Sequence, residues 1–154
     1  MAQTPYNRAL DLLSARPYTV RELRRKLIQK EVAIADADQV IERLVAAGLL
    51  DDARYAASYA RSRLLGPGAS ARRIRQELAR KGVNAELAQD AIARVVADEH
   101  VDTNAVLERV ARKKLSSMGD LDPVVSRRRL FAFLARRGYE LEQIREVVTA
   151  IGKS

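Results

Sequence analysis

The residues best equipped for chemistry are few and poorly placed for it. His100 is the single histidine, and cysteine is absent. His100 stands among Asp98, Glu99 and Asp102, a grouping that could hold a metal ion or run acid–base chemistry. No second histidine or thiol completes a site, and any Ser–His–Asp triad would have to use this one imidazole. The cluster lies in a joint between helical stretches and reads as solvated linker. Gly66-Pro67-Gly68-Ala69-Ser70-Ala71 has the spacing G-x-G-x-x-A. A dinucleotide-binding turn must follow a strand, and a helical pattern precedes this one. Gly152-Lys153-Ser154 resembles the end of a phosphate-binding loop, but the position five before Gly152 is Val147. The absent thiols exclude a disulfide framework, an iron–sulfur cluster and a cysteine nucleophile. No catalytic residue, cofactor or metal is expected, and the chain does not read as an enzyme.

What the sequence does carry is chemistry for anions. It has 28 Lys+Arg against 20 Asp+Glu, a formal net charge of +8. Segments 19–32, 70–83 and 126–139 align without gaps and hold 15 basic and 3 acidic residues. They carry +12 between them, so the rest of the chain is net −4. Their charge rises along the chain, and Arg112, Lys113 and Lys114 add a further basic run. Recurrent basic helices with the acids placed elsewhere suit a phosphate-rich partner. The candidate contacts are Arg72, Arg73, Arg75, Arg80 and Lys81, then Arg112, Lys113 and Lys114, then Arg127, Arg128, Arg129, Arg136 and Arg137. These segments are rich in Arg and almost free of Asn and Gln, which favours phosphate contact over base readout. Five Tyr, two Phe and no Trp leave little for a base-stacking platform.

The elements that must carry these residues are helices. The chain has 154 residues, 47% apolar, with only 7 Gly and 4 Pro. Ala, Leu, Arg and Glu dominate, and all are good helix formers. Each aligned segment opens on Thr19, Ser70 or Ser126, residue types that cap helix N-termini. Leu23 and Leu27, Ile74 and Leu78, and Leu130 and Leu134 follow at i, i+4, which gives each helix one apolar face. Gly82 and Gly138 suit the left-handed position that closes a helix. Glu31 occupies that place in the first segment, so its helix end is expected to differ. A helical stretch precedes each segment, at 5–15, 52–65 and 103–116. Another follows, with Ile41 and Leu44, Ile92 and Val95, and Val148 and Ile151 in register. The architecture predicted is all-α: three tandem three-helix, helix-turn-helix-like repeats over 5–50, 51–99 and 102–152, elongated and curved. One such repeat would be marginal alone, so neighbours should share contacts.

The run Gly48-Leu49-Leu50-Asp51-Asp52-Ala53-Arg54-Tyr55-Ala56 resembles the signature of the RecX family of regulatory proteins. Arg63, Gly68, Arg73-Ile74, Glu77-Leu78 and Lys81-Gly82-Val83 continue the pattern. Repeat 1 contributes Arg16, Glu22-Leu23 and Leu27. Repeat 3 contributes Leu134 and Arg137-Gly138-Tyr139. Glu31 departs from the pattern, since glycine is common there in the family.

The resemblance implies a protein that binds the RecA recombinase as a filament on DNA and lies in the filament groove. It implies inhibition of ATPase and strand exchange, and a place in homologous recombination, DNA repair and the SOS response. The alternative is a DNA-binding protein in its own right, with tandem units making mainly phosphate contacts. Phe131, flanking the core pair Leu130 and Leu134, is the candidate apolar anchor for the recombinase. No apolar run approaches the roughly 18 residues of a membrane helix, and residues 1–5 lack the apolar core of a signal peptide. A cytoplasmic protein with no membrane partner is therefore expected.

Overall fold

The computed structural model describes residues 3–152, which form nine helices and no strand. Unit 1 comprises α1 (Pro5–Ala15), α2 (Val20–Gln29) and α3 (Ile34–Ala46). Unit 2 comprises α4 (Asp52–Leu65), α5 (Ala71–Arg80) and α6 (Ala85–Asp98). Unit 3 comprises α7 (Thr103–Ser117), α8 (Pro123–Arg136) and α9 (Leu141–Gly152). The fold is all-α with three tandem three-helix units.

Local chemistry starts these helices where the sequence places caps. Thr19 forms a capping box with Glu22, and the Ser70 hydroxyl accepts from the Arg73 N–H. Asp51, Asn84 and Asp102 cap α4, α6 and α7 in the same way. The third repeat differs from expectation. Helix α8 starts one turn early, because Asp122 accepts from the Val124 N–H and Pro123 takes the first-turn position. Ser126 therefore lies inside α8 and bonds back to the Pro123 carbonyl.

The end of α2 also departs from expectation. Glu31 takes φ 67°, the left-handed turn that Gly82 and Gly138 make in the other units. Val32 N–H bonds to Leu27 O at 3.0 Å, as Val83 N–H bonds to Leu78 O at 3.0 Å. The three second helices thus end alike, with a Cβ strained at one of them. A left-handed non-glycine residue costs about 1–2 kcal/mol. Glu31 is exposed, so Glu31→Gly is expected to stabilise the protein by about 1 kcal/mol in thermal or urea melts. A destabilised variant would show that the glutamate side chain outweighs the strain.

Each unit builds its own core. Leu23, Leu27, Ile41 and Leu44 centre the first; Ile74, Leu78, Ile92 and Val95 the second; Leu107, Leu130, Leu134 and Ile144 the third. Helices pack mainly on others of the same unit. The accessible surface is 9933 Å², against roughly 7,800 Å² for a compact chain of 17.2 kDa. Three small cores in series expose that excess.

The units meet end to end through their second helices. Thr19 and Ser70 are the buried polar side chains of the described residues, at 0% and 6% exposure. Each does two jobs. Thr19 Oγ1 caps α2 and donates to Lys81 O, at the end of α5, at 2.6 Å. Ser70 Oγ caps α5 and donates to Arg137 O, at the end of α8, at 2.7 Å. Glycine makes the approach feasible: a Cβ on Gly82 would stand 2.6 Å from Arg21 Cβ, and one on Gly138 2.8 Å from Ser70 Oγ. The negative end of one helix dipole thus meets the positive end of the next. Arg109 adds a strut from unit 3, donating to Gly66 O at 2.8 Å and Leu64 O at 3.1 Å.

Candidate nucleic-acid and partner interface

The end-to-end joints string α8, α5 and α2 into one series, and the basic segments with them. Among the thirteen candidate contacts, Arg72, Arg80, Arg112, Lys113, Arg127, Arg128, Arg129 and Arg136 are exposed. Arg112 pairs with Glu108 one turn away at 2.9 Å. The other seven have no carboxylate partner among the described residues. Exposed cations without partners remain hydrated and available to an outside anion.

The remaining five are half-buried, and three of them, Lys81, Lys114 and Arg137, make contacts within the fold. Lys114 and Arg137 both lie over the Phe133 ring, at 4.8 and 4.9 Å from its centroid. Lys81 lies 5.5 Å from the Tyr59 centroid and 3.9 Å from Glu22 across the unit 1–2 joint. Arg75 lines a cleft of about 270 Å³ at the unit 2–3 joint, shared with Ala69, Ile92 and Val106. Arg73 has its Nε buried without a partner, as is the Tyr139 hydroxyl. Burial raises the Tyr139 phenol above its ordinary pKa, and the Arg137, Arg109 and Arg63 charges oppose that rise. Burial likewise raises Tyr59, with Glu77 adding to the rise. Glu77 is itself committed to Arg63 at 3.0 Å, both side chains largely covered.

Helical spacing separates the run Arg127-Arg128-Arg129. On a 3.6-residue wheel Arg128 and Arg129 point away from Leu130 and Leu134, and Arg136 joins them two turns later. Arg127 falls nearer the core side, beside a recess of about 200 Å³ lined by Leu115, Leu130, Val148 and Ile151. The outward basic face of α8 is therefore Arg128, Arg129 and Arg136. Phe131 and Phe133 lie on opposite flanks of the same helix. Both are half-buried and packed against the third core. Neither is enclosed, and only Phe133 carries cations on its ring.

The acidic cluster around His100 is spent on structure. Asp102 caps α7, and Glu99 pairs with Arg61 at 2.6 Å. His100 is exposed with φ 52°, the left-handed closing residue of α6. Gly68 of the G-x-G-x-x-A run packs on α7: a Cβ there would stand 2.7 Å from Val110 Cγ2. Lys153 and Ser154 lie outside the described residues. No described helix is long and apolar enough to cross a membrane.

Basic residues of unit 1 were missed by reasoning from the sequence. Arg21 and Arg25 are exposed without a carboxylate partner, and Lys26 is half-buried in the same condition. The end of α5 brings Arg80 and Lys81 up against them. The signal available was the shared alignment, which puts bases at Arg21, Arg72 and Arg128 by the same offsets that relate Thr19, Ser70 and Ser126.

Comparison with known proteins agrees with this architecture unit by unit. The family model described as "RecX, first three-helix domain" matches residues 6–44, the second matches 51–92 and the third 102–148. "Regulatory protein RecX" of Mycobacterium sp. (strain KMS) is 39% identical over 142 residues, spanning 91% of this chain and 77% of the relative. The protein of the same name from Trichlorobacter lovleyi is 37% identical over 146 residues, covering 92% of each. The crystal structure of RecX from Lactobacillus salivarius superposes with a TM-score of 0.81 at 21% identity, over 97% of this chain and 96% of that one. A second crystal structure, of "regulatory protein RecX", gives 0.82 at 22% identity, over 93% and 70%. With three matching domain models and relatives of this similarity over most of its length, the chain belongs to the RecX family of regulatory proteins.

Proposed function

We propose that the chain binds the RecA recombinase and its DNA filament and inhibits ATPase and strand exchange. It thereby restrains recombination and repair. The observation that carries this reading is the end-to-end series of α8, α5 and α2, with unpaired bases exposed along it. A slender body with a serial row of cations fits along a nucleoprotein filament, where phosphates recur at regular steps. DNA contact is mainly to phosphates and without sequence specificity, since the exposed bases are Arg and Lys on helices nearly free of Asn and Gln. Phe131 is the apolar anchor toward the recombinase, because its ring is half-buried and bears no internal cation.

The test is DNA-dependent ATP hydrolysis by the recombinase, with and without this protein, at DNA in large excess over both. Inhibition is expected to persist, because the target is the filament. Inhibition that vanishes as DNA is added would mean competition for DNA, and would replace this reading with that of an independent DNA-binding protein.

A further inference from the structure

The joint between units 1 and 2 gathers six cations around one recess. Helix α2 supplies Arg21, Arg25 and Lys26, the loop before it Arg16, and the end of α5 Arg80 and Lys81. They surround a cleft of about 250 Å³ whose only carboxylate is Glu22. That carboxylate is already shared: it accepts from Thr19 N–H and stands 3.9 Å from both Arg16 and Lys81. Arg21, Arg25, Lys26 and Arg80 have no carboxylate within ion-pair distance among the described residues. Six like charges around one recess repel one another, and an outside anion relieves that repulsion.

We propose that this cleft is a two-unit seat for the sugar–phosphate backbone of a nucleic acid, assembled by the packing of the unit 1–2 joint. It rests on the DNA contact in the proposed function and names a site for it outside units 2 and 3. Three features select a phosphate backbone over an acidic protein surface. Four of the six cations are arginines, whose forked guanidinium suits phosphate oxygens. None of the large exposed apolar side chains, such as Ile34, Val45, Leu49 and Leu65, lines the cleft. A protein interface draws on such anchors. The one ring present, Tyr18, is buried and its face is covered by Arg16 at 3.7 Å, so bases find no platform to stack on.

The seat depends on geometry as well as charge. The Thr19 to Lys81 hydrogen bond and the bare Cα of Gly82 against Arg21 hold the two halves together. Arg21 and Arg25 from one unit and Arg80 and Lys81 from the other line a single cleft only because this packing brings α5 against α2.

The experiment measures binding of a fluorescein-labelled duplex oligonucleotide by anisotropy over a salt series, with no recombinase present. Arg25→Ala with Arg80→Ala removes one cation from each side. The log–log salt slope is expected to fall by about 1.8, and affinity by about thirtyfold near physiological salt. Gly82→Ala removes no charge but lodges a methyl against Arg21. It is expected to weaken binding severalfold, with helix content retained by circular dichroism. An unchanged slope in the folded double variant would overturn the proposal. So would wild-type affinity in a folded Gly82→Ala, since the seat would not need the joint. If Gly82→Ala fails to fold, the double variant, at surface positions, still decides. Loss of ATPase inhibition with DNA binding intact would give the cleft to an acidic protein surface and also overturn it. Inhibition retained after the seat is lost would leave the filament reading standing.

Discussion

Replacing Arg128, Arg129 and Arg136 together by alanine is expected to weaken DNA binding about a hundredfold at about 0.15 M salt and to flatten its salt dependence. All three are exposed, have no ion-pair partner among the described residues and leave α8 on the side opposite Leu130 and Leu134. No acid in the aligned segment offsets them, in contrast to Glu22 and Glu31 in the first and Glu77 in the second. Each phosphate neutralised on duplex DNA contributes roughly 0.9 to the log–log slope, so three lost contacts should lower it by about 2.7. Arg127→Ala is the internal comparison. It belongs to the same run of arginines but lies beside the recess lined by Leu115, Val148 and Ile151, and should move the slope little. Anisotropy titrations over a salt series, with circular dichroism to verify folding, decide the matter. An unchanged slope in the folded triple variant would return the outward face of α8 to ordinary solvated surface. A large effect from Arg127 alone would instead place the DNA on the other flank of the helix.

The difference between the run and the face illustrates where sequence reasoning holds and where it stops. Caps and periodicity are local, and they located the helices well. The stretches expected at 5–15 and 52–65 are α1 and α4 within their bounds, and the apolar pairs at i, i+4 are buried in all three units. Local signals also compete, and the nearer partner wins. Ser126 is a good cap type, but Asp122 and Pro123 stand one turn earlier and start α8 first. At Glu31 the reading from residue type failed for a different reason. Closing α2 with the Val32 to Leu27 hydrogen bond and burying Val32 outweighs the strain at one exposed residue.

Nothing local announces the joints. Thr19 and Ser70 read as caps, which they are, but the acceptors of their hydroxyls lie 62 and 67 residues away. The same distance hid the unit 1–2 cleft. Arg21, Arg25 and Lys26 belong to the segment with the lowest net charge, Arg16 precedes it, and Arg80 and Lys81 join them only through the fold. Conversely, Lys114 and Arg137 are read from sequence as surface charges, whereas both are drawn onto the ring of Phe133.

That ring leads to the second large effect. Phe133→Ala is expected to destabilise the protein by about 3 kcal/mol, and Phe131→Ala by roughly half as much. Both rings are half-buried against the third core, so each loses less than the 3–5 kcal/mol of a fully buried phenylalanine. Phe133 loses more, because Lys114 and Arg137 sit on its ring and each contact is worth about 0.5–1 kcal/mol. Phe133→Leu separates the two contributions: it retains most of the apolar volume, loses the ring electrostatics, and should fall between wild type and Phe133→Ala. In binding the order reverses. Phe131 carries no internal cation, and as an anchor for the recombinase its truncation should raise the concentration needed for half-inhibition of ATPase at least tenfold, or about 1.4 kcal/mol. Thermal melts and inhibition curves on the same three variants give both readouts. If Phe131→Ala melts lower than Phe133→Ala, the cation contacts contribute nothing and the packing assignment is wrong. If folded Phe131→Ala inhibits like wild type, Phe131 is a packing residue of α8 and the recombinase is held elsewhere.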